Sequence, residues 1–167
     1  MGKTEQDLKD AFAGESQANR KYLAFSKKAE QDGYKRAAKM FRAAAAAETV
    51  HAHNHLRELG GVRSTRENLN EAISGESYEF QSMYPRMIED AKIEGKDGAL
   101  KSFHYANEVE KIHAALYKKV LESLEQDKGK DSDFHVCQVC GYTHEGKEAP
   151  DECPVCKSKK QVFRKVE

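Results

Sequence analysis

Four long stretches of the chain alternate apolar and polar positions with the period of a helix, and glycine closes the first three. The first runs from about Thr4 to Asp32, offers Leu8, Phe12, Tyr22, Leu23, Phe25 and Ala29 as inward positions, and stops at Gly33. The second runs from about Tyr34 to Leu59 and ends at Gly60-Gly61, a helix-terminating pair. The third begins near Thr65, read as its N-cap, and reaches Glu94 before Gly95, with Pro85 inside it predicting a kink. The fourth runs from about Asp97 to Gln126. Each has the length of a bundle helix. "EQDKGKDSD" then forms a charged linker without apolar residues, and beyond Phe134 the pattern shortens to strand-like pieces, "FHVC" and "QVFRKV". The expected architecture is an all-α four-helix bundle over residues 1–126, a linker over 127–133 and a small knuckle-and-strand domain over 134–167.

Composition narrows the function classes. Charged residues make up 34% of the chain, and 28 basic side chains cancel 28 acidic ones, which argues against a nucleic-acid binder. Mixed-sign runs such as "KKAEQDGYKRAAK" read as solvated helix surface. The opening "MGKTEQDLKD" has no apolar core to serve as a secretory signal, and no apolar run approaches the ~20 residues of a membrane span. A cytoplasmic protein with reduced thiols is the expectation. All four cysteines then fall in "CQVC" (137–140) and "CPVC" (153–156), which reads as a four-thiolate metal site rather than two disulfides.

The helical part repeats itself. "GES" occurs at Gly14–Ser16 and at Gly75–Ser77, and "AETVHA" (Ala47–Ala52) is echoed by "VEKIHA" (Val109–Ala114). This looks like a duplicated helical hairpin whose halves are related by a pseudo-two-fold axis. A Glu from each of two helices and a Glu-x-x-His from each of the other two is the ligand set of a carboxylate-bridged two-metal centre. Here that set is Glu15, Glu48, His51, Glu76, Glu110 and His113. Adjacent cations repel, and bridging carboxylates cancel the charge. Glu48 and Glu110 are placed to bridge, Glu15 and Glu76 to bind terminally, and His51 and His113 to supply one nitrogen per metal. Oxygen-rich ligation with some imidazole suits iron or manganese.

Glu79 breaks the symmetry. It lies one turn after Glu76, whereas the matching position after Glu15 is Ala18. A carboxylate favours the ferric ion, and an imidazole competes better for the ferrous one. The metal bound by Glu15 is therefore expected to exchange Glu79 for His51 as its valence changes. Tyr22 lies two turns beyond Glu15 on the same face, and Tyr84 follows Glu79 within "MYP"; each phenol is expected to bond a ligand carboxylate. Glu79, His51, Tyr22 and Tyr84 are the candidate catalytic residues. A lone Glu-x-x-His would be an accident of a charged chain, but two in register with two repeated glutamates are not. His53 is expected at the surface, His55 as a structural neighbour of His51, and Glu108 in solvent. His104 and Tyr105 stay ambiguous, and His135 and His144 are expected at the surface.

In the small domain, Cys-x-x-Cys-Gly followed by an aromatic and then Cys-Pro-x-Cys resembles rubredoxin, which favours iron over zinc. Rubredoxins usually carry glycine after both knuckles; here Lys157 takes the second position, where φ > 0 would strain it.

"GESQANRKY", "AETVH", "GESYEFQSMYP", "EKIHAALY" and the two knuckles together resemble the rubrerythrin family over nearly the whole chain. The resemblance implies a ferritin-like di-iron bundle joined to a rubredoxin-like domain. Two non-haem irons would sit on Glu15, Glu48, His51, Glu76, Glu79, Glu110 and His113, and one iron on Cys137, Cys140, Cys153 and Cys156. It implies a peroxidase of oxidative-stress defence that reduces hydrogen peroxide to water. Electrons would enter through the C-terminal iron from an external reductase or a rubredoxin, fed ultimately by NAD(P)H. The family's iron that exchanges histidine for glutamate corresponds to the one contested by His51 and Glu79. A homodimer is implied, with the rubredoxin-like domain of one subunit near the bundle of the other; higher or helix-swapped assemblies stay open. The competing expectations are a ferroxidase or iron store, which has no use for an electron-transfer domain, and a helical adaptor with a zinc ribbon.

Overall fold

The computed structural model describes residues 2–167, so the start of the expected first domain at residue 1 lies outside the described residues. The chain divides into two compact units, one ending at Arg63 and the other spanning Ser64–Glu167.

The first unit is a hairpin of α1 (Lys3–Gln31) on α2 (Lys35–Glu58). Its seam is made of small residues. Ala38, Ala45 and Ala52 are buried at heptad spacing on α2, opposite Asn19 and Ser26 on α1. With only alanine on the α2 side of the seam, the helices approach closely. Asn19 Nδ2 can then donate across the seam to the Ala45 carbonyl at 2.7 Å and to Thr49 Oγ1 at 2.8 Å. Ala29 is buried as expected, but Phe25 is 47% exposed and instead stacks on Tyr22 and Phe41. The turn after α1 is tied by a bond from Tyr34 N–H to the Ala29 carbonyl at 2.8 Å around Gly33, whose φ of 83° places it in the left-handed region.

The second unit begins with α3 (Thr65–Tyr78), a π-helical turn (Glu79–Met83) and α4 (Tyr84–Ile93), which form one continuous rod. Both α3 and α4 pack on α5 (Asp97–Ser123). Ser64, not Thr65, is the N-cap: its hydroxyl accepts from Glu67 N–H while the Glu67 carboxylate accepts from Ser64 N–H. The Ser-x-x-Glu spacing at 64–67 is the better signature, because it satisfies two orphan donors at once. Where Pro85 predicted a kink, the rod carries the π turn immediately before it, and the Tyr84 N–H reaches back five residues to the Glu79 carbonyl. Proline has no N–H and crowds the carbonyl four residues earlier, so a widened turn accommodates it without breaking the helix.

No strand or helix spans 124–133. A three-stranded antiparallel sheet follows in the order β2-β1-β3, with β1 at Phe134–Cys137, β2 at Thr143–Glu145 and β3 at Phe163–Lys165. Its core is small: Cys137, Ala149, Cys153 and Phe163, with Tyr142 and Val155 packed against them. His135 is buried, against the surface placement expected for it. Side chains alternate along a strand, and two residues back from the inward Cys137 is His135. Its Nδ1 has no partner among the described residues. Among the described residues no helix is long and apolar enough to cross a membrane.

Candidate metal centres

Each unit carries one Glu–Glu–His trio on facing helices. In the first, α1 supplies Glu15 and α2 supplies Glu48 and His51. The His51 Nδ1 lies 2.8 Å from Glu48 Oε2 and 3.8 Å from Glu15 Oε1. In the second, α3 supplies Glu76 and α5 supplies Glu110 and His113. The His113 Nδ1 lies 2.8 Å from Glu110 Oε2 and 3.9 Å from Glu76 Oε2. In both, one ligand atom from each residue lies within 4.8 Å of the others. The Glu-x-x-His spacing puts carboxylate and imidazole on one helical face, one turn apart. Two half-buried carboxylates brought this close repel unless a proton or a cation stands among them, so the donor set fits a hard divalent or trivalent metal.

In the second trio the surroundings of the two carboxyls push their acidities apart. Burial, a hydrogen bond to Glu110 and the Glu110 charge push the Glu76 carboxyl up to about 7. Burial works the same way on Glu110, but hydrogen bonds with His113 and Glu76 outweigh it and hold Glu110 below the usual range. His113 is raised by its bond to Glu110. Glu79 is raised by burial and by the Glu110 charge, with His113 opposing. Tyr84 is raised by burial and then by Glu79, Glu110 and Glu76, so its phenol stays protonated beside three carboxylates.

The structure thus gathers Glu76, Glu79, Tyr84, Glu110 and His113 in one neighbourhood of the second unit, and Glu15, Glu48 and His51 in one of the first. Tyr22 stacks with Phe41 at 6.1 Å and Tyr84 with Phe103 at 6.3 Å; neither phenol hydrogen-bonds to a carboxylate among the described residues. His53 and Glu108 are exposed, as expected.

A geometric reason for the π turn emerges from these positions. Tyr22 follows Glu15 by seven residues, but Tyr84 follows Glu76 by eight. The extra residue is absorbed by the widened turn, so both tyrosines return to the face of their glutamate. Counting eight against seven in the repeated "GES…Y" segments is a signal that sequence reasoning passed over. Thr143 was missed altogether: its Oγ1 lies 2.9 Å from His113 Nε2, thirty positions away along the chain.

The third site is the four cysteines. Cys137 Sγ and Cys156 Sγ are 3.6 Å apart, as are Cys140 Sγ and Cys153 Sγ. That is far beyond a disulfide bond of ~2.05 Å. It is close to the ~3.8 Å edge of a tetrahedron whose sulfurs sit ~2.3 Å from a central ion. The knuckles are built alike: Gly141 N–H donates to the Cys137 carbonyl at 2.9 Å and Lys157 N–H to the Cys153 carbonyl at 3.0 Å. Gly141 has φ 87° and Lys157 has φ 62°, so the second knuckle keeps its shape and lysine bears the left-handed conformation. Burial opposes ionisation of Cys156, but hydrogen bonds from the Ser158 hydroxyl and backbone bring its thiol down to about 6. Burial raises Cys140 and Cys153.

A family model described as Rubrerythrin matches residues 7–121, and one described as the rubredoxin-like domain of rubrerythrin matches residues 135–164. Rubrerythrin-2 of Clostridium acetobutylicum is 34% identical, over 96% of this chain and 95% of its own. Nigerythrin of Nitratidesulfovibrio vulgaris is also 34% identical, over 98% of this chain and 86% of its own. Among solved structures, the fully reduced, all-ferrous state of nigerythrin covers 99% of this chain and 88% of its own, at 34% identity and a TM-score of 0.59.

Proposed function

The chain belongs to the rubrerythrin family, and on that premise we propose that it is a non-haem di-iron peroxidase that reduces hydrogen peroxide to two waters. The family binds two irons in its helical domain and one on the four cysteines. The observation that carries the reading is the pair of Glu–Glu–His trios of matched geometry on the same chain as a four-sulfur site. When bound, the two irons supply the two electrons that split the O–O bond, and the cysteine-held iron returns them singly.

The residues have separate tasks. Glu15 and Glu76 would hold the metals terminally and Glu48 and Glu110 would bridge, neutralising the paired cations, while His51 and His113 would each offer Nδ1. Glu79 would serve the iron that also uses Glu15, replacing His51 when that iron is ferric. Tyr84, held protonated by burial and by its carboxylate neighbours, keeps a proton at Oη for a departing oxygen. The single-electron donor is an external reductase or a rubredoxin fed by NAD(P)H. The setting is a reducing cytoplasm, and the working form is a homodimer or a larger assembly of this chain.

Protein purified without oxygen, with its iron counted and its optical spectrum followed, tests this reading. Three irons per chain, bleaching by reductant and recovery on stoichiometric peroxide support it. Faster recovery with dioxygen than with peroxide, with iron accumulating in the protein, would identify a ferroxidase instead. A colourless zinc protein would point to the adaptor.

A further inference from the structure

The small domain touches α5 within one chain through one face of β2 and the loop before it. A Cβ placed on Gly141 would lie 3.7 Å from Val109 Cγ1, Thr143 Oγ1 lies 2.9 Å from His113 Nε2, and the Lys119 ammonium pairs with Glu145 at 2.5 Å. Thr143 and Glu145 are alternate positions of β2, so their side chains project to one side of the strand, and Gly141 lies in the turn before it. Of their partners, Val109 and His113 share one face of α5, and Lys119 reaches in from about 120° further round the helix. The small domain thus meets α5 at three points, and the middle one is a candidate iron ligand.

The hydrogen-bond directions are set by Thr143. Its hydroxyl lies 3.3 Å from the Gly141 carbonyl, which can only accept, so Thr143 donates there. Toward His113 it then offers a lone pair, and His113 must carry its proton on Nε2. Nδ1, which faces Glu110 and Glu76, is then the nitrogen that would bind iron once a metal displaces the proton it shares with Glu110. Beyond the Gly141 carbonyl the connection is covalent, through the Gly141 backbone to Cys140 and its sulfur. His51 has no counterpart of Thr143 among the described residues; the partners of its imidazole are Glu15 and Glu48 alone.

We propose that Thr143 is a positioning residue that locks His113 into its iron-binding tautomer and joins it, within one chain, to the Cys140 knuckle. The inference rests on the di-iron reading above. With iron at both sites, one electron would pass from the ferrous cysteine-held iron, leaving it ferric, to ferric iron at His113, leaving that one ferrous. No bond breaks, and the Thr143 proton stays where it is. Iron at the two sites is thus coupled through a route set by a single hydroxyl.

Two measurements on the full chain test this. Nitrogen-15 NMR of histidine in zinc-loaded protein reads the tautomer directly. Wild type and Thr143→Ser are expected to show a slowly exchanging His113 Nε2–H, and Thr143→Val, which keeps the shape and loses the hydroxyl, is expected to lose that protection. On iron-loaded protein reduced without oxygen, stopped-flow absorbance follows reoxidation of the cysteine-held iron after peroxide. Thr143→Val should slow it about 10- to 100-fold, the usual cost of removing the partner of a metal-bound histidine, and Thr143→Ser should restore it. An unchanged His113 signal, or equal reoxidation rates in wild type and valine variant, overturns the proposal. If peroxide reoxidises neither iron site in wild type, the peroxidase reading falls, and the His113 spectrum still decides the role of Thr143.

Discussion

The trio of Glu15, Glu48 and His51 and the trio of Glu76, Glu110 and His113 agree to within 0.1 Å in their Glu–His distances, yet they sit in different surroundings. The His51 side chain is 52% exposed and the His113 side chain 27%. The second trio has an additional carboxylate at Glu79, a protonated phenol at Tyr84 and a threonine cap on its histidine; the first has Ala18 where the second has Glu79. A duplicated backbone has therefore kept the ligand geometry fixed while the environment diverged. The two trios therefore offer a metal the same ligands in unequal surroundings.

Removing a bridging carboxylate should have the largest effect, and the same effect on both sides. Glu48→Ala and Glu110→Ala are each expected to empty the helical iron sites and to lower peroxide turnover by more than about 100-fold, beyond what losing an outer partner costs. Iron counting and steady-state turnover check this, and a large inequality between the two would show that the trios are not equivalent as ligands.

Making the second trio resemble the first comes next. Glu79→Ala is expected to retain both irons while slowing turnover by about 10-fold or more. Deleting Ser82 together with Pro85→Ala should convert the π turn to regular helix and restore the seven-residue spacing. The proline must go as well, because in a regular helix interior it costs ~3 kcal/mol. Circular dichroism should show a folded protein and turnover should fall as for Glu79→Ala. Full activity in either variant would mean that the asymmetry is incidental.

Acidity probes the second trio more gently. Glu76 in the metal-free protein is raised from an ordinary 4.5 to about 7. A carboxyl with a raised folded-state value favours folding while protonated, so its contribution is fully present below about 4.5 and is lost as the pH rises through 7. Binding a metal expels that proton, so affinity at the second trio should strengthen as the pH climbs from 6 to 8. Calorimetric titration of zinc in buffers of different ionisation heat should detect the released proton at pH 6. No release there would contradict the shared Glu76–Glu110 proton.

The smallest effect concerns the knuckles, a second duplicated pair. Lys157→Gly relieves a left-handed φ of 62° and should stabilise the small domain by about 1 kcal/mol, seen as a higher midpoint in denaturant with the iron spectrum unchanged.

Much of this was legible beforehand because it depends on spacing along a helix. Glu48 and His51, or Glu110 and His113, share a face wherever the helix goes, and the two CxxC knuckles define a tetrathiolate by their own local turns. Thr65 as N-cap and His135 at the surface failed for local reasons, since the Ser64–Glu67 box and the alternation back from Cys137 were both in the text. Phe25 failed because periodicity names a face without saying what covers it.

The sequence by itself determined which residues can share a helical face, where the helices begin and end, and which sulfurs belong to one ion. Those are consequences of backbone geometry within a few residues. Only the tertiary structure decided that Thr143 caps His113, that Glu76 rather than Glu110 keeps the proton, and that Asn19 reaches across an alanine seam to a neighbouring helix. Each of these depends on groups far apart in the chain arriving within 3–4 Å, where desolvation and hydrogen-bond direction take over from local preference.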